Sequence, residues 1–292
     1  MSATIAPLRS LHGCPAPAKL NLFLHVVGRR SDGYHLLQSV FQLIDLQDTL
    51  DFELRDDDRI VRTSVIAEVA EADDLVIRAA KLLKAEASVR GHTVCGVDIA
   101  VTKRIPMGGG LGGGSSDAAT VLLVLNHLWQ LQLSRPELMR LGLQLGADVP
   151  FFLCGQNAFV EGIGEELTPV ATPSGWFVVI HPGIGVPTAS VFGAAELTRN
   201  TKVVKMADFS ARPLGFGEND LQAVVVRAFP AVADALRWLS HRGEARMSGS
   251  GACVFARFET ESQAEAALSE LPAHWRGWKV RSLDHHPLKL QL

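Results

Sequence analysis

Between Pro106 and Asp117 the chain reads Pro-Met-Gly-Gly-Gly-Leu-Gly-Gly-Gly-Ser-Ser-Asp, and six of the seven residues from Gly108 to Gly114 are glycine. No other stretch restricts the fold as much. The alternating run Val97-Asp98-Ile99-Ala100-Val101 ahead of it predicts a strand. The apolar run from Ala118 to Trp129 behind it predicts a buried helix. A strand therefore feeds a glycine loop, and the loop opens a helix. A tight turn needs one or two glycines. Six would cost ordering entropy for nothing unless a ligand or a close backbone contact recovers it. The first turn of a helix carries free N–H groups and the positive end of the dipole, so the expected ligand is an anion, most often phosphate.

Gly108, Gly110 and Gly113 fit G-x-G-x-x-G literally. A dinucleotide fold would place a second strand after the helix, ending in an acidic residue. Here Ser134-Arg135-Pro136-Glu137 follows, a capping box that opens another helix. The phosphate loop of nucleotide hydrolases is excluded as well, because no Lys-Ser or Lys-Thr pair follows the glycines.

A chain of 292 residues suits one large or two ordinary domains. Its net charge of −3 gives no sign of a nucleic-acid or membrane surface. Cys14, Cys95, Cys154 and Cys253 are scattered without a C-x-x-C pair, which fits a reduced compartment and neither a disulfide frame nor a zinc site. The first residues lack the order of a secretory signal, and the apolar run from Val121 to Leu125 is too short to cross a membrane. A cytoplasmic protein is expected.

Taken in order, residues 1–14 read as a loose leader. Pro17 to Gly28 reads as a strand with Leu20, Leu22, Leu24 and Val26 on one face and Lys19, Asn21, Phe23 and His25 on the other. Taken alone, Lys19 suits a solvated strand end better than a site. Asp32-Gly33 marks a turn, next to Tyr34, the chain's single tyrosine, and His35. A strand from Ser39 to Leu54 and an acidic hairpin tip, Asp56 to Asp58, follow. A helix with Asp74 as N-cap runs to about Ala87. After the glycine loop and its helix, a second helix spans Ser134 to Leu145. Asp148 then sits in Gly146-Ala147-Asp148-Val149-Pro150, where it either caps a turn or carries chemistry. Phe151 to Glu161 reads as a strand pair turning at Gly155-Gln156-Asn157. Gly162 to Gly175 reads as a domain boundary near residue 170. The second half reads as a strand (176–181), a helix (188–197), helices near 220–228 and 231–240, a glycine turn (247–252), a strand (253–258), a helix (261–271) and a strand (278–283). This mixture is an α+β layer, not an alternating parallel sheet.

Several separated stretches together resemble one family. Pro106 to Ser116 resembles the second motif of the GHMP kinases, the superfamily of galactokinase, homoserine kinase and mevalonate kinase. Pro17-Ala18-Lys19-Leu20-Asn21-Leu22 is similar to its first motif, and Ser248-Gly249-Ser250-Gly251-Ala252 to its third. Lys19 to Leu22, Asp32-Gly33-Tyr34-His35, Leu145 to Pro150 and His181-Pro182-Gly183 resemble one branch of it. That branch phosphorylates a cytidine diphosphate-linked methylerythritol on the methylerythritol phosphate route to isoprenoids.

The resemblance implies an α+β, two-domain GHMP kinase architecture. A domain of ribosomal-protein-like fold would span residues 1–170 and a ferredoxin-like domain residues 171–292, with the site in the cleft between them. It implies ATP as co-substrate, with Mg2+ expected and its protein ligands unassigned. It implies that Pro106, Met107, Gly108, Gly109, Gly110, Leu111, Gly112, Gly113, Gly114, Ser115 and Ser116 hold ATP. Asp148 would take the proton from the substrate's 2-hydroxyl, and Lys19 beside it would neutralise charge during transfer. Tyr34 and His35 would clamp the cytosine with Phe192 on the ring's far side, while Asn21, Phe41 and Thr188 help hold the substrate. Such transfer depends on positioning and electrostatics more than on covalent catalysis. A monomer or weak homodimer with no nucleic-acid or membrane partner is expected. Two other readings stand beside this one: a GHMP kinase for another small alcohol, of the homoserine or mevalonate type, and a non-catalytic phosphate-binding module.

Overall fold

Two long strands form the spine of the molecule, a computed structural model that describes residues 8–65, 70 and 73–288. β1 (Ser10–Arg29) and β2 (His35–Leu54) pair antiparallel along their whole length across the Asp32-Gly33 turn. Then come β3 (Ile60–Arg62), α1 (Leu75–Val89), β4 (Val97–Thr102), α2 (Gly113–Leu128), α3 (Arg135–Leu143), α4 (Val149–Cys154), β5 (Ala158–Glu161) and β6 (Glu166–Pro169). The remainder is β7 (Trp176–His181), α5 (Thr188–Gly193), α6 (Met206–Ala211), α7 (Gln222–Ala228), α8 (Pro230–Ser240), β8 (Ala245–Met247), β9 (Val254–Phe258), α9 (Glu261–Ser269) and β10 (Arg276–Leu283). The α+β reading stands.

β1 takes one edge of β2. The other edge is shared by β5 at Ser39–Phe41, β10 at Leu43–Ile44 and β4 at Thr49–Leu54. Through β10 the sheet continues into β7, β9 and β8. From Asp45 to Glu53 strict alternation turns Leu46, Asp48, Leu50 and Phe52 inward. One core packs α1 to α4 on β2 and β4, with α2 buried all round. A second packs α7, α8 and α9 against β7 and β9. A third lies between them and takes Ala18 and Leu20 from β1, Leu111 from the glycine loop, and Phe177, Phe255 and Val280 from the continuing sheet.

Several sequence expectations need correction. Residues 10–14 belong to β1 and not to a leader, because Cys14 packs into the first core; residues 1–7 lie outside the described residues. The predicted two faces of β1 do not persist, since register shifts after Pro17 and after Asn21 rotate the strand, and Phe23 is as buried as Leu20. Phe151 to Cys154 is helical, so Asp148 joins two helices. A short run buried on every side carries no periodicity, and Pro150 in the first turn and a left-handed Gly155 at the end bound it as a helix. Part of the stretch from Gly162 to Gly175 is strand β6, paired with β5. α5 stops at Gly193, short of Leu197, while α6 and β8 were not foreseen.

Asn157, beyond that left-handed glycine, locks the halves of the sheet together. Its Oδ1 accepts from Leu43 N at 2.9 Å, and its Nδ2 donates to Leu283 O at 2.9 Å and to Thr172 Oγ1 at 2.8 Å. Asn157→Ala leaves a buried strand N–H and a strand carbonyl unpaired. A loss of about 1–3 kcal/mol for each such group is expected in urea unfolding. A variant that unfolds at the parental midpoint would show that water replaces the side chain there.

Candidate active site

The glycine loop is tethered by its carbonyls. Gly108 O accepts from Ala252 N at 3.1 Å, Gly109 O from Cys253 N at 3.1 Å and Gly110 O from Ser248 Oγ at 3.0 Å. Leu111 O accepts from Lys19 N and Gly112 O from Ser116 N, both at 2.9 Å. Among the described residues the N–H groups of Gly108 to Gly112 meet no acceptor. They are left for an anion at the N-terminus of α2, whose first two residues, Gly113 and Gly114, come from the glycine run itself.

The same loop is the common wall of two cavities. One, of about 350 Å³, is lined by the loop from Pro106 to Ser115 and by Asp74, Leu75 and Lys103. Ser116 does not reach it, because its hydroxyl is buried in α2. The other, of about 790 Å³, is lined by Gly108, Gly110 and Gly112 and by all of Lys19, Asn21, Tyr34, His35, Phe41, Asp148, Thr188 and Phe192. Residues that the sequence scatters over 170 positions thus face one space.

In the larger cavity Lys19 is 3% exposed, which excludes a solvated strand end. Its Nζ donates to Asn21 Oδ1 at 2.5 Å, stands 3.4 Å from Asp148 Oδ2 and lies 4.3 Å above the Phe41 ring. Asn21 passes the constraint on, through Nδ2 to Ser39 Oγ at 3.0 Å, and Ser39 donates to Phe23 O. Asp148 stands at the N-cap position of α4 without a capping side-chain bond and is about a third exposed, open to the cavity beside a buried cation. A carboxylate held next to an ammonium, with a free face toward a hydroxyl, can accept a proton. Ser248 Oγ accepts from Asn21 N at 3.2 Å while donating to Gly110 O, so one hydroxyl joins β1, the glycine loop and the Ser248–Ala252 turn.

The aromatic residues divide differently from the sequence expectation. His35 and Phe192 lie against each other, ring centroids 5.1 Å apart and 32° inclined. They form one wall and leave no room for a ring between them. Tyr34 is 60% exposed at the mouth. Thr188 Oγ1 and Ser250 Oγ share a hydrogen bond of 2.7 Å, which pins the start of α5 to the glycine turn. His181 accepts from Gly183 N and lines neither cavity.

Three elements escaped the sequence reading. Asn219 donates to Met247 O and Gly249 O, both at 2.8 Å, and holds the Ser248–Ala252 turn. Arg199 donates to His35. Under the smaller cavity Lys103 bridges Asp48 and Asp117, the latter at 2.7 Å, and Asp48 also accepts from Arg104 N and Ile105 N. Burial raises the Asp117 carboxyl to about 7, against the pull of Lys103 and with the added charge of Asp48. Each is an ordinary polar residue in an unremarked position until the fold supplies its partners. Asp74, in contrast, is where its sequence suggested: it accepts from Val76 N as N-cap and pairs with Arg62 at 2.7 Å, so both carboxylate oxygens are engaged.

Comparison with known proteins decides the family. The profile for the GHMP kinases N terminal domain matches residues 74–156, and that for GHMP kinases C terminal matches residues 195–277. The chain is 62% identical over 281 residues to the 4-diphosphocytidyl-2-C-methyl-D-erythritol kinase of Herminiimonas arsenicoxydans, covering 96% of this chain and 98% of that protein. The chain belongs to the GHMP kinases. The same-named kinase of Cupriavidus metallidurans is 58% identical over 288 residues, 98% of this chain and 97% of that protein. A crystal structure of 4-(cytidine 5'-diphospho)-2C-methyl-D-erythritol kinase superposes with a TM-score of 0.77 at 36% identity, over 92% of this chain and 98% of that one. Methanococcus jannaschii mevalonate kinase, at 15% identity, shares the fold with a TM-score of 0.67 over 96% and 99% of the two chains. The two-domain GHMP kinase architecture, and an ATP-dependent phosphotransferase within it, follow. Among the described residues no helix is long and apolar enough to cross a membrane.

In this GHMP kinase a Cβ on Gly110, at φ +73°, would stand 2.1 Å from Ser248 O, whereas one on Gly114 would meet only Leu75 Cδ1 at 3.5 Å. Gly110→Val should therefore abolish ATP binding and, by parting the loop from the turn, also cost about 1–3 kcal/mol of stability. Gly114→Ala should keep both near the parent. ATP titration and urea unfolding of the two variants read this directly, and parental affinity in Gly110→Val would remove the loop from nucleotide binding.

The Asp117 carboxyl gives a pH signature. Its ordinary value is 3.8 and its folded value about 7, so the folded chain holds the extra proton between them. The stability linked to that proton is complete below the ordinary value and is lost as the pH rises to the folded one. The stability of the parent minus that of Asp117→Asn should accordingly decline across this window. A flat difference, from unfolding at a series of pH values, would mean that Lys103 keeps the carboxylate charged throughout.

Proposed function

We propose that this chain transfers the γ-phosphoryl group of ATP to the 2-hydroxyl of 4-diphosphocytidyl-2-C-methyl-D-erythritol, giving the 2-phosphate and ADP, on the methylerythritol phosphate route to isoprenoid precursors. The observation that carries the proposal is the shared wall: one glycine loop faces a cavity on each side, and the buried Lys19 with its partner Asp148 stands in the larger. A donor nucleotide in the smaller cavity and an acceptor alcohol in the larger would meet at the free N–H groups of the loop. The names of the closely similar kinases support the substrate, as do the aromatic groups of the larger cavity.

The chain's own residues then have these parts. The loop N–H groups bind the phosphate oxygens and stabilise charge that develops on them. As the hydroxyl oxygen bonds to the γ-phosphorus and the bond from that phosphorus to the ADP oxygen breaks, the hydroxyl proton passes to Asp148. Lys19, fixed by Asn21 and Phe41, balances the negative charge gathered there. Asn21, Thr188 and Phe41 shape the acceptor side, and Tyr34, His35 and Phe192 its base end. Mg2+ would come with ATP and be held mainly by phosphate oxygens and water, where it would offset phosphate charge. Among the described residues no group of three or more acidic, histidine or cysteine side chains stands together to bind it. The same reading puts a domain boundary near residue 170, supported by the two profile ranges, and the enzyme in the cytoplasm as a monomer or weak homodimer.

Coupled ADP release with ATP and the cytidine compound, against ATP with homoserine or mevalonate, tests the reaction. Release with another alcohol and none with the cytidine compound would replace this reading. Asp148→Asn keeps the shape and removes the base. Its single-turnover rate should fall about 10²–10⁴-fold with both substrates still bound. A rate within a few-fold of the parent would return Asp148 to a turn-forming role. Lys19→Ala should also slow the reaction, with the double variant losing less than the product of the two.

A further inference from the structure

Arg199 lies in the polar connector after α5, outside every motif of the sequence, and all its nitrogens donate to His35 and to carbonyls at and just beyond the end of α5. Its Nε donates to His35 Nε2 at 3.1 Å. Its Nη1 donates to Leu197 O at 3.0 Å, and its Nη2 to Phe192 O at 3.0 Å and Ala194 O at 2.6 Å. Arg199 therefore holds both faces of one wall: His35 at the start of β2, and the end of α5 that carries Phe192. An arginine cannot give up its proton, so it can only donate to the imidazole. The ring nitrogen that accepts has no hydrogen, and in a neutral imidazole the other nitrogen must carry it. Burial, and then the cations Arg199 and Arg29, lower the His35 pKa, which favours the neutral ring.

We propose that Arg199 is a positioning residue for the acceptor substrate: it fixes His35 as the Nδ1–H tautomer, so that this wall offers the pyrimidine a hydrogen-bond donor and no acceptor. The inference rests on the reading that the larger cavity takes a cytidine nucleotide. Unpaired N3 of cytosine is an acceptor, and N3 of uracil is a donor. A wall restricted to donating suits the cytosine edge and opposes the uracil one. Sites that hydrogen-bond a substrate group discriminate strongly against an analogue that leaves a site group unpaired. The selectivity for the base thus depends on a residue behind the one that meets it.

The first test uses the unaltered protein without substrate. Nitrogen-15 NMR of the histidine rings near neutral pH should show His35 with a protonated Nδ1 and a bare Nε2; a protonated Nε2 would overturn the proposal. The second test compares Arg199→Met, which loses the donors, with Arg199→Lys, which keeps one. It uses the cytidine compound and its uridine counterpart. In Arg199→Met the preference for cytidine in kcat/KM should fall about tenfold, the value of one hydrogen bond, through KM for that substrate. kcat and the KM for ATP should stay within about twofold, and Arg199→Lys should recover part of the preference. In a His35→Ala background Arg199→Met should remove no further preference. An equal loss in that background would make Arg199 a brace for α5 alone and overturn the tautomer role. Should the parent fail to phosphorylate the cytidine compound, the kinase reading and the selectivity role fall together, and the NMR result still decides the tautomer.

Discussion

The carbonyl oxygens of Gly108 to Gly112 all turn toward the protein, and the site depends on that orientation. A peptide has two polar ends, and buried ones need partners. When the fold takes up five successive carbonyls, the opposite N–H groups face outward together. The partners come from far apart in the chain: Lys19 of β1, Ser248, Ala252 and Cys253 of the second half, and Ser116 of α2. The outward row of N–H groups on this loop is thus a property of the whole fold. It also explains why so many glycines are needed. Gly110 lies against Ser248 O and Gly112 against Phe152 and the Lys19 stem, at distances that leave no space for a side chain.

The buried lysine depends on the same framework. A lone ammonium in an apolar interior would be costly or would lose its charge. Lys19 is surrounded by compensation: the Asn21 amide oxygen, the Asp148 carboxylate and the face of the Phe41 ring. Its backbone N–H meanwhile holds Leu111 O of the loop. One residue therefore holds the glycine loop through its main chain and the Asp148 carboxylate through its side chain. A single lysine thus ties the Asp148 carboxylate to the glycine loop.

How far the sequence reveals this differs by element. The glycine loop, β4 and α2 were legible because composition and periodicity change abruptly at their borders. The α+β class followed from the order of elements, and the family from motifs spread over the chain. α4 was read as a strand because Phe151 to Leu153 are buried on every side and leave no polar face to set a period. Lys19 and Asp148 are ambiguous one at a time, since either residue type is ordinary at a strand or turn end, and their meeting at 3.4 Å is a fact of topology. Arg199 and Asn219 gave no signal at all. Their work is done on main-chain carbonyls and on another side chain, and sequence does not advertise which carbonyls lie near.

The position of Ser248 shows why the two halves of the chain cannot act separately. Its hydroxyl accepts from β1 and donates to the loop, Asn219 holds the turn that carries it, and Ser250 on the same turn pins α5 through Thr188. The same turn thus touches the glycine loop through Gly110 and the wall of the larger cavity through α5. A link of this kind holds the glycine loop, the common wall of the two cavities, in a fixed place relative to α5. Phosphoryl transfer needs its two oxygens in line to within a fraction of an ångström, and proximity of that quality is worth several kcal/mol of barrier. In this fold such accuracy is stored in main-chain and side-chain hydrogen bonds to a turn contributed by the second half of the chain.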